Sequence, residues 1–235
     1  DLFKFTYNQL LLYGVHIGHS IKNIHLYGGW LIYTFRQNIA LVNLFKTFYQ
    51  LRHATVAINK LTLKYSPIWF VNLDASIATI LSTAAESAGE FFVAGFWING
   101  LMSNYKGLVK TYHKLYNLGY DTWRARMKRA NRIFTNFVYT RLSWPRGVLI
   151  TSVHRSYMAV REAAYAGTAC FGIVDTDAYS EGASSPIPAN DDSLLCIMFY
   201  NELTAQIILS KKYYRITKWF GGIRNYKRLN SFKNW

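Results

Sequence analysis

Residues 68–93 read IWFVNLDASIATILSTAAESAGEFFV, and this stretch decides the fold class. Ile68–Val71 is a short run in which no polar residue alternates with the apolar ones, the pattern of a strand buried on both faces; Pro67 just before it ends the preceding helical pattern. Ala75–Ala88 is an alanine-rich helix closed by Gly89, and Glu90–Val93 is a second short apolar strand. Two neighbouring strands joined by a helix run parallel, because a tight hairpin cannot return the chain to the starting edge.

The same alternation continues outward in both directions. Toward the C-terminus come a strand at Val148–Val153, a helix at Ser156–Ala166 ended by Gly167, a strand at Cys170–Val174 and a last helix at about Ser193–Ser210. Toward the N-terminus lie a helix at Phe45–Lys64 and a strand pair, Leu31–Phe35 and Ile39–Leu44, around the polar turn Arg36-Gln37-Asn38. Before these come an irregular turn at Gly14–His19 and a short helix at Phe5–Tyr13. The pattern predicts an α/β fold, a parallel sheet layered by helices of the flavodoxin or Rossmann-like kind. Residues 1–102 and 143–210 form its single domain, 103–142 an inserted helical hairpin, and 211–235 a basic aromatic tail.

Charge is distributed unevenly. The chain of 235 residues carries 27 Lys or Arg against 12 Asp or Glu, with 51% hydrophobic residues, too apolar for a disordered chain. Residues 103–146 hold ten basic residues, among them Lys106, Lys110, Arg124, Arg126, Lys128, Arg129 and Arg132, and one acid, Asp121. In the hairpin's second half Trp123, Met127, Ala130, Phe134, Phe137 and Val138 form an apolar stripe, with Arg124, Lys128 and Arg132 four apart on another face. The tail holds eight basic residues and no acid: Lys211, Lys212, Arg215, Lys218, Arg224, Lys227, Arg228 and Lys233. These are interleaved with Tyr213, Tyr214, Trp219, Phe220, Tyr226, Phe232 and Trp235. Segregated charge of this size attracts a polyanion, nucleic acid first and an anionic membrane surface second, with a merely solvated basic surface as the remaining reading. The tail is expected to be ordered only on RNA, and the rest of the chain to be nearly neutral.

Signals for catalysis are weak. The Gly28-Gly29 pair precedes a strand instead of opening a helix, and Gly95–Gly100 has phosphate-loop spacing but continues Leu101-Met102 where Lys and Ser or Thr are needed. Cys170 and Cys196 sit in apolar runs without metal-ligand spacing. His16, His19 and His25 match no strong metal template. Asp175, Asp177, Asp191 and Asp192 could be bridged by a divalent ion, but they stand where turns and a helix cap use carboxylates structurally. No catalytic residue, metal or cofactor is expected.

Five motifs occur together and in order: Gly14-Val-His-Ile-Gly-His19, Arg36–Leu44, Phe96–Tyr105, Ile173–Asp177 and Ile187–Asp192. In this the chain resembles the bacterial-type ribosomal protein S-two family over about residues 5–210. The resemblance implies a non-catalytic constituent of the small ribosomal subunit at the head–body junction near the messenger exit. Its partners would be ribosomal RNA and neighbouring small-subunit proteins, with messenger RNA nearby, no membrane and no homo-oligomer. It marks Arg36 as an RNA contact, and Gly14, His16, Gly18, His19, Trp97, Gly100, Asn104, Asp175, Asp177, Asn190, Asp191 and Asp192 as motif residues. The chain departs from the family pattern at Phe96–Gly100, where an Arg and a Gly are lost, and at Trp144-Pro145-Arg146, where an acid becomes a base. Residues with AT-rich codons (Phe, Tyr, Met, Ile, Asn, Lys) number 86 against 52 with GC-rich ones (Gly, Ala, Arg, Pro), which points to a mitochondrial gene, with plastid and bacterium as lesser options. A nucleotide-dependent enzyme or a peripheral membrane module on the same fold are the rival readings.

Overall fold

Short apolar runs without a polar face are satisfied only in the middle of a layered sheet, and there the chain places them. The computed structural model describes residues 5–64, 66–117 and 144–231. In chain order its elements are α1 (Tyr7–Leu12), β1 (Ile17–Ser20), β2 (Ile32–Arg36), β3 (Ile39–Val42), α2 (Leu44–Leu63), β4 (Ile68–Asn72), α3 (Ala78–Ala88) and β5 (Phe92–Ala94). There follow α4 (Tyr105–Asn117), β6 (Gly147–Ile150), α5 (Tyr157–Tyr165), β7 (Ala169–Val174), β8 (Ser185–Pro188) and α6 (Leu194–Ser231).

The main sheet is five-stranded and parallel throughout, in the order β5-β4-β6-β7-β8. One register row crosses it from Phe92 through Phe70, Leu149 and Phe171 to Ser185. Alternation along each strand splits the interior in two. Ile68, Phe70, Leu149, Phe171 and Ile173 pack with α2, α3 and α6, whereas Trp69, Val71, Val148, Ile150, Cys170 and Val174 pack with α5 and with Leu101 and Met102. Each such side chain, taken from water to full burial, contributes roughly 1.5–3 kcal/mol. A second sheet of three antiparallel strands, β1-β3-β2, stands apart from the first. Its β2–β3 turn has Gln37 and Asn38 both at positive φ (48° and 63°), the two-residue hairpin whose twist matches the flanking strands.

Among the described residues the expected strands and helices are in place, with five corrections. Ile17–Ser20, read as an irregular turn, is the strand β1 paired to β3. The strand expected over Val148–Val153 leaves the ladder after Ile150, and Ala75–Ile77 is a 3-10 turn ahead of α3. β8 was not foreseen: Pro186 and Pro188 make it look like a loop, yet proline is tolerated on an edge strand, and β8 is an edge. The last helix does not stop at Ser210 but runs on to Ser231, so 211–231 continues α6. Extending a nucleated helix costs little per residue, and no proline interrupts the segment. The hairpin residues Arg124, Arg126, Lys128, Arg129 and Arg132 lie outside the described residues.

Candidate functional site

The carboxyl ends of the parallel strands, where α/β folds gather their polar chemistry, hold nearly all the acidic motif residues. Asp175 follows β7 and is fully buried; its Oδ1 accepts from the Thr176 backbone N (2.5 Å) and hydroxyl (3.2 Å), and its Oδ2 from Asp191 N (3.2 Å). Asn190, after β8, closes the turn ahead of α6 by accepting from Asp192 N (2.8 Å) and Ser193 N (3.1 Å), while its Nδ2 donates to Gly14 O (3.3 Å). Asp191 Oδ2 accepts from the Ser152 hydroxyl (2.6 Å). Burial pushes the Asp191 carboxyl up to about 6, with its carboxylate neighbours adding to the rise and the Ser152 bond opposing it.

Into this group β1 inserts His19. Its Nδ1 lies 3.3 Å from Asp175 Oδ2, and its Nε2 lies 3.1 Å from Asp192 Oδ2 and 3.7 Å from Asp177 Oδ2. The Asp175 contact is the largest cause of a His19 pKa raised to about 9; partial burial opposes it, and the charges of Asp175, Asp177 and Asp192 add to it. The imidazole is therefore a cation at neutral pH, holding carboxylates from two loops. The backbone seals the same joint: His19 N donates to the Thr176 hydroxyl (2.9 Å) and His25 N to Thr176 O (2.9 Å). Gly18 is required here, since a Cβ would stand 2.8 Å from Thr176 Cγ2 and 2.9 Å from Ala40 O. His16 has no carboxylate partner among the described residues, and burial lowers its pKa.

A second chain of polar contacts adjoins the first, between the ends of β4 and β6. Arg155 bonds Asp74 Oδ2 and Asp192 Oδ1, each at 2.5 Å. Asn72 Nδ2 donates to the Thr151 hydroxyl (2.7 Å) and Leu73 N to the Ser156 hydroxyl (3.3 Å). Ligand atoms of His19, Asp177 and Asp191 all lie within 4.8 Å of one another, the three side chains able to approach one ion. In its protonated form the His19 imidazole contacts its carboxylate neighbours as a cation, and a metal ion taken there would have to displace that proton. Both cysteines are buried and free, and burial pushes the Cys170 thiol up to about 12, far from a nucleophile.

The remaining motif residues build the loop after β5. Gly100 adopts φ +86°, and the Gly100 and Met102 N–H groups donate to the two oxygens of the Glu162 carboxylate on α5 (2.6 and 3.0 Å). Trp97 packs against the α5 side of the sheet, and Asn104 N donates to Gly100 O (2.8 Å) ahead of α4. Glu162 was missed by sequence reasoning because nothing in its surroundings marks it; only the fold brings it to the loop.

Residues 10–211 match the family described as Ribosomal protein S2. The chain belongs to the ribosomal protein S2 family. It is similar to the small ribosomal subunit protein uS2 of Chlamydia abortus, 29% identical over 225 residues, covering 90% of this chain and 82% of that one. It is likewise similar to the uS2 proteins of Blochmanniella floridana (25% over 221 residues, 88% and 96% covered) and Ehrlichia ruminantium strain Gardel (24% over 226 residues, 89% and 78% covered).

Among the basic residues singled out in this S2-family chain, Arg36 is exposed at the β2–β3 turn, and Lys106 and Lys110 are exposed on α4. Lys211 Nζ stands 6.0 Å from the Tyr214 ring centroid. Lys212 is turned inward: its Nζ pairs with Glu90 Oε1 (2.9 Å) and donates to Ala88 O (2.5 Å), closing the C-terminus of α3. Arg215, Lys218, Arg224, Lys227 and Arg228 lie on the α6 backbone. One basic region escaped the sequence reading. Residues 2–73 contain seven basic residues (Lys4, Lys22, Arg36, Lys46, Arg52, Lys60, Lys64) and no acid, a segregation concealed when the charge outside the hairpin and tail is summed as one core.

Proposed function

We propose that this chain is a structural, RNA-binding constituent of the small ribosomal subunit of a mitochondrion, positioned at the head–body junction near the messenger exit. The observation that carries the reading is the family match across residues 10–211; its relatives bear the name of a small-subunit protein. Arg36, Lys106 and Lys110 are free to reach phosphates, and the basic hairpin and tail residues Arg124, Arg126, Lys128, Arg129, Arg132, Lys211, Arg215, Lys218, Arg224, Lys227 and Arg228 extend the contact. Lys212 is excluded from that set, since its charge is spent on α3 and Glu90. The His19 knot holds the N-terminal sheet on the α/β domain so that both present fixed surfaces to RNA and to neighbouring proteins. No helix among the described residues is long and apolar enough to cross a membrane. The mitochondrial assignment rests on the AT-skewed composition.

Fractionation of organelle lysate tests the reading. The chain is expected to co-sediment with small-subunit ribosomal RNA at moderate salt; recovery solely in RNA-free or membrane fractions refutes it.

A further inference from the structure

The acid-free N-terminal segment carries a feature that the proposed contacts do not use. On α2 the core side is Thr47, Leu51, Ala54, Ile58 and Thr62, and the opposite side exposes Phe45 (69%) and Tyr49 (61%) together with Lys46, Arg52 and Lys60. The Phe45 ring centroid lies 5.5 Å from that of Tyr7 and the Tyr49 ring centroid 4.4 Å from that of His53, so the exposed rings belong to one aromatic patch. A groove of about 440 Å³ opens beside them, lined by Trp30, Asn43, Phe45, Lys46, Tyr49 and Gln50. Lys46 Nζ is fixed at its rim, donating to Trp30 O (2.6 Å) and lying 6.0 Å from the Trp30 ring centroid. Asn43 Oδ1 is engaged as the cap of α2, accepting from Phe45 N and Lys46 N (3.1 and 3.3 Å), so its Nδ2 group remains to donate.

We propose that this groove is a docking site for an unpaired base of single-stranded RNA, with Lys46, Arg52 and Lys60 following the phosphates along α2. Three aromatic rings offer stacking faces, an amide edge offers a hydrogen bond, and the surrounding charge is of one sign; that combination suits a base on a polyanion. Arg52 lies about 9 Å beyond Lys46 along the helix axis, and Lys60 about 12 Å beyond Arg52. An anionic membrane fits less well. A helix lying in a bilayer surface presents a continuous apolar face, whereas Gln50, Arg52, His53 and Asn59 interrupt this one. The groove between α3 and α6 is a useful contrast: Glu202 is the charged residue in its lining, and it attracts no polyanion.

The site deepens the RNA-binding reading above and rests on it, but it is testable separately. The starting protein is the full chain with Arg215, Lys218, Arg224 and Arg228 changed to Gln, which removes tail binding as a competitor. Its affinity for an unstructured 12-nucleotide RNA carrying 4-thiouridine is measured against salt, cross-links are mapped by mass spectrometry, and phosphatidylserine vesicles are tested in parallel. Adding Phe45→Ala with Tyr49→Ala is expected to weaken RNA binding at least about fivefold with the salt slope unchanged. Adding instead Lys46→Gln, Arg52→Gln and Lys60→Gln should reduce the magnitude of the log–log salt slope by about 2. Cross-links should fall on Trp30, Phe45 or Tyr49. The substituted side chains are exposed, and an unchanged thermal midpoint is the folding control. Unchanged affinity in both variants, cross-links confined to other segments, or binding to vesicles but not RNA overturns the site. If the chain co-sediments with small-subunit RNA while the groove variants bind as the parent does, the groove fails and the proposed function stands. If groove binding is found but co-sedimentation is not, the reverse holds.

Discussion

Replacing His19 by Gln removes the cation that touches Asp175, Asp177 and Asp192 together while keeping a hydrogen-bonding side chain of similar reach. A histidine whose pKa rises from 6.5 in the unfolded chain to about 9 in the folded one stabilises the fold by at most about 3 kcal/mol. The side chain is 21% exposed, and solvent screening reduces this to about 1–2 kcal/mol. The folded state binds the proton more tightly, so the full contribution is present below pH 6.5 and is lost as pH rises through 9. Asp191, raised to about 6, also loses stability with rising pH, but over a lower window, as pH climbs from its ordinary 3.8 to about 6. Urea denaturation followed by far-ultraviolet circular dichroism, in steps from pH 6.5 to 9.5, separates the two. The wild-type minus His19→Gln difference should be about 1–2 kcal/mol larger at the acid end than at the alkaline end. A difference independent of pH across that range would refute the ion-pair account and leave His19 a packing residue.

Gly18→Ala should destabilise by about 1–3 kcal/mol in the same assay, because its Cβ meets Thr176 and the Ala40 carbonyl at under 3 Å; a neutral result would show that the β1 joint is loose. Glu162→Ala should cost about 1.5–3 kcal/mol by stranding the Gly100 and Met102 N–H groups, and hydrogen exchange should speed at those two amides. Lys212→Met should destabilise by about 1–2 kcal/mol through Glu90 and the end of α3, while leaving the salt slope of RNA binding unaltered. Changing Arg215, Lys218, Arg224 and Arg228 together to Gln should do the opposite, weakening subunit assembly with the unfolding midpoint of the α/β domain unchanged; normal incorporation would count against the tail as an RNA contact.

Much of the fold was legible because the four apolar strand runs carry both the strand and its burial in their composition: Ile68–Val71 cannot sit on a half-wet sheet. What was not legible depended on partners distant in sequence. Gly14–His19 has glycines that suggest a turn, and it becomes a strand only because β3 offers a ladder and because Gly18 lets Thr176 approach. Ser185–Pro188 has the composition of a loop and is a strand because β7 needs a partner along one edge. Lys212 has the composition of an RNA contact, yet α6 delivers it to the carbonyl end of α3. The charge of residues 2–73 was readable throughout, and was missed by summing across a boundary that the fold does not respect.

Within the candidate site, the placement of polar groups supports a structural role. The switch point between β4 and β6 is where a doubly wound sheet opens a crevice for a ligand, and here several of its groups contact one another. Asn72 holds Thr151, Ser156 receives Leu73 N, Arg155 spans Asp74 and Asp192, and His19 draws Asp192 and Asp175 together. A catalytic crevice keeps donors and acceptors aimed at the reacting atoms of a substrate, whereas these are aimed at the protein's own loops. The same contacts tie five chain segments, β1 and the ends of β4, β6, β7 and β8, into one rigid edge. Such a joined edge suits the RNA-binding role proposed above: phosphate contacts position best when the side chains making them stand on elements that do not move. Arg36, Lys106 and Lys110 lie exposed at the β2–β3 turn and on α4, away from the strand ends where Asp74, Asp175, Asp177, Asp191 and Asp192 are gathered.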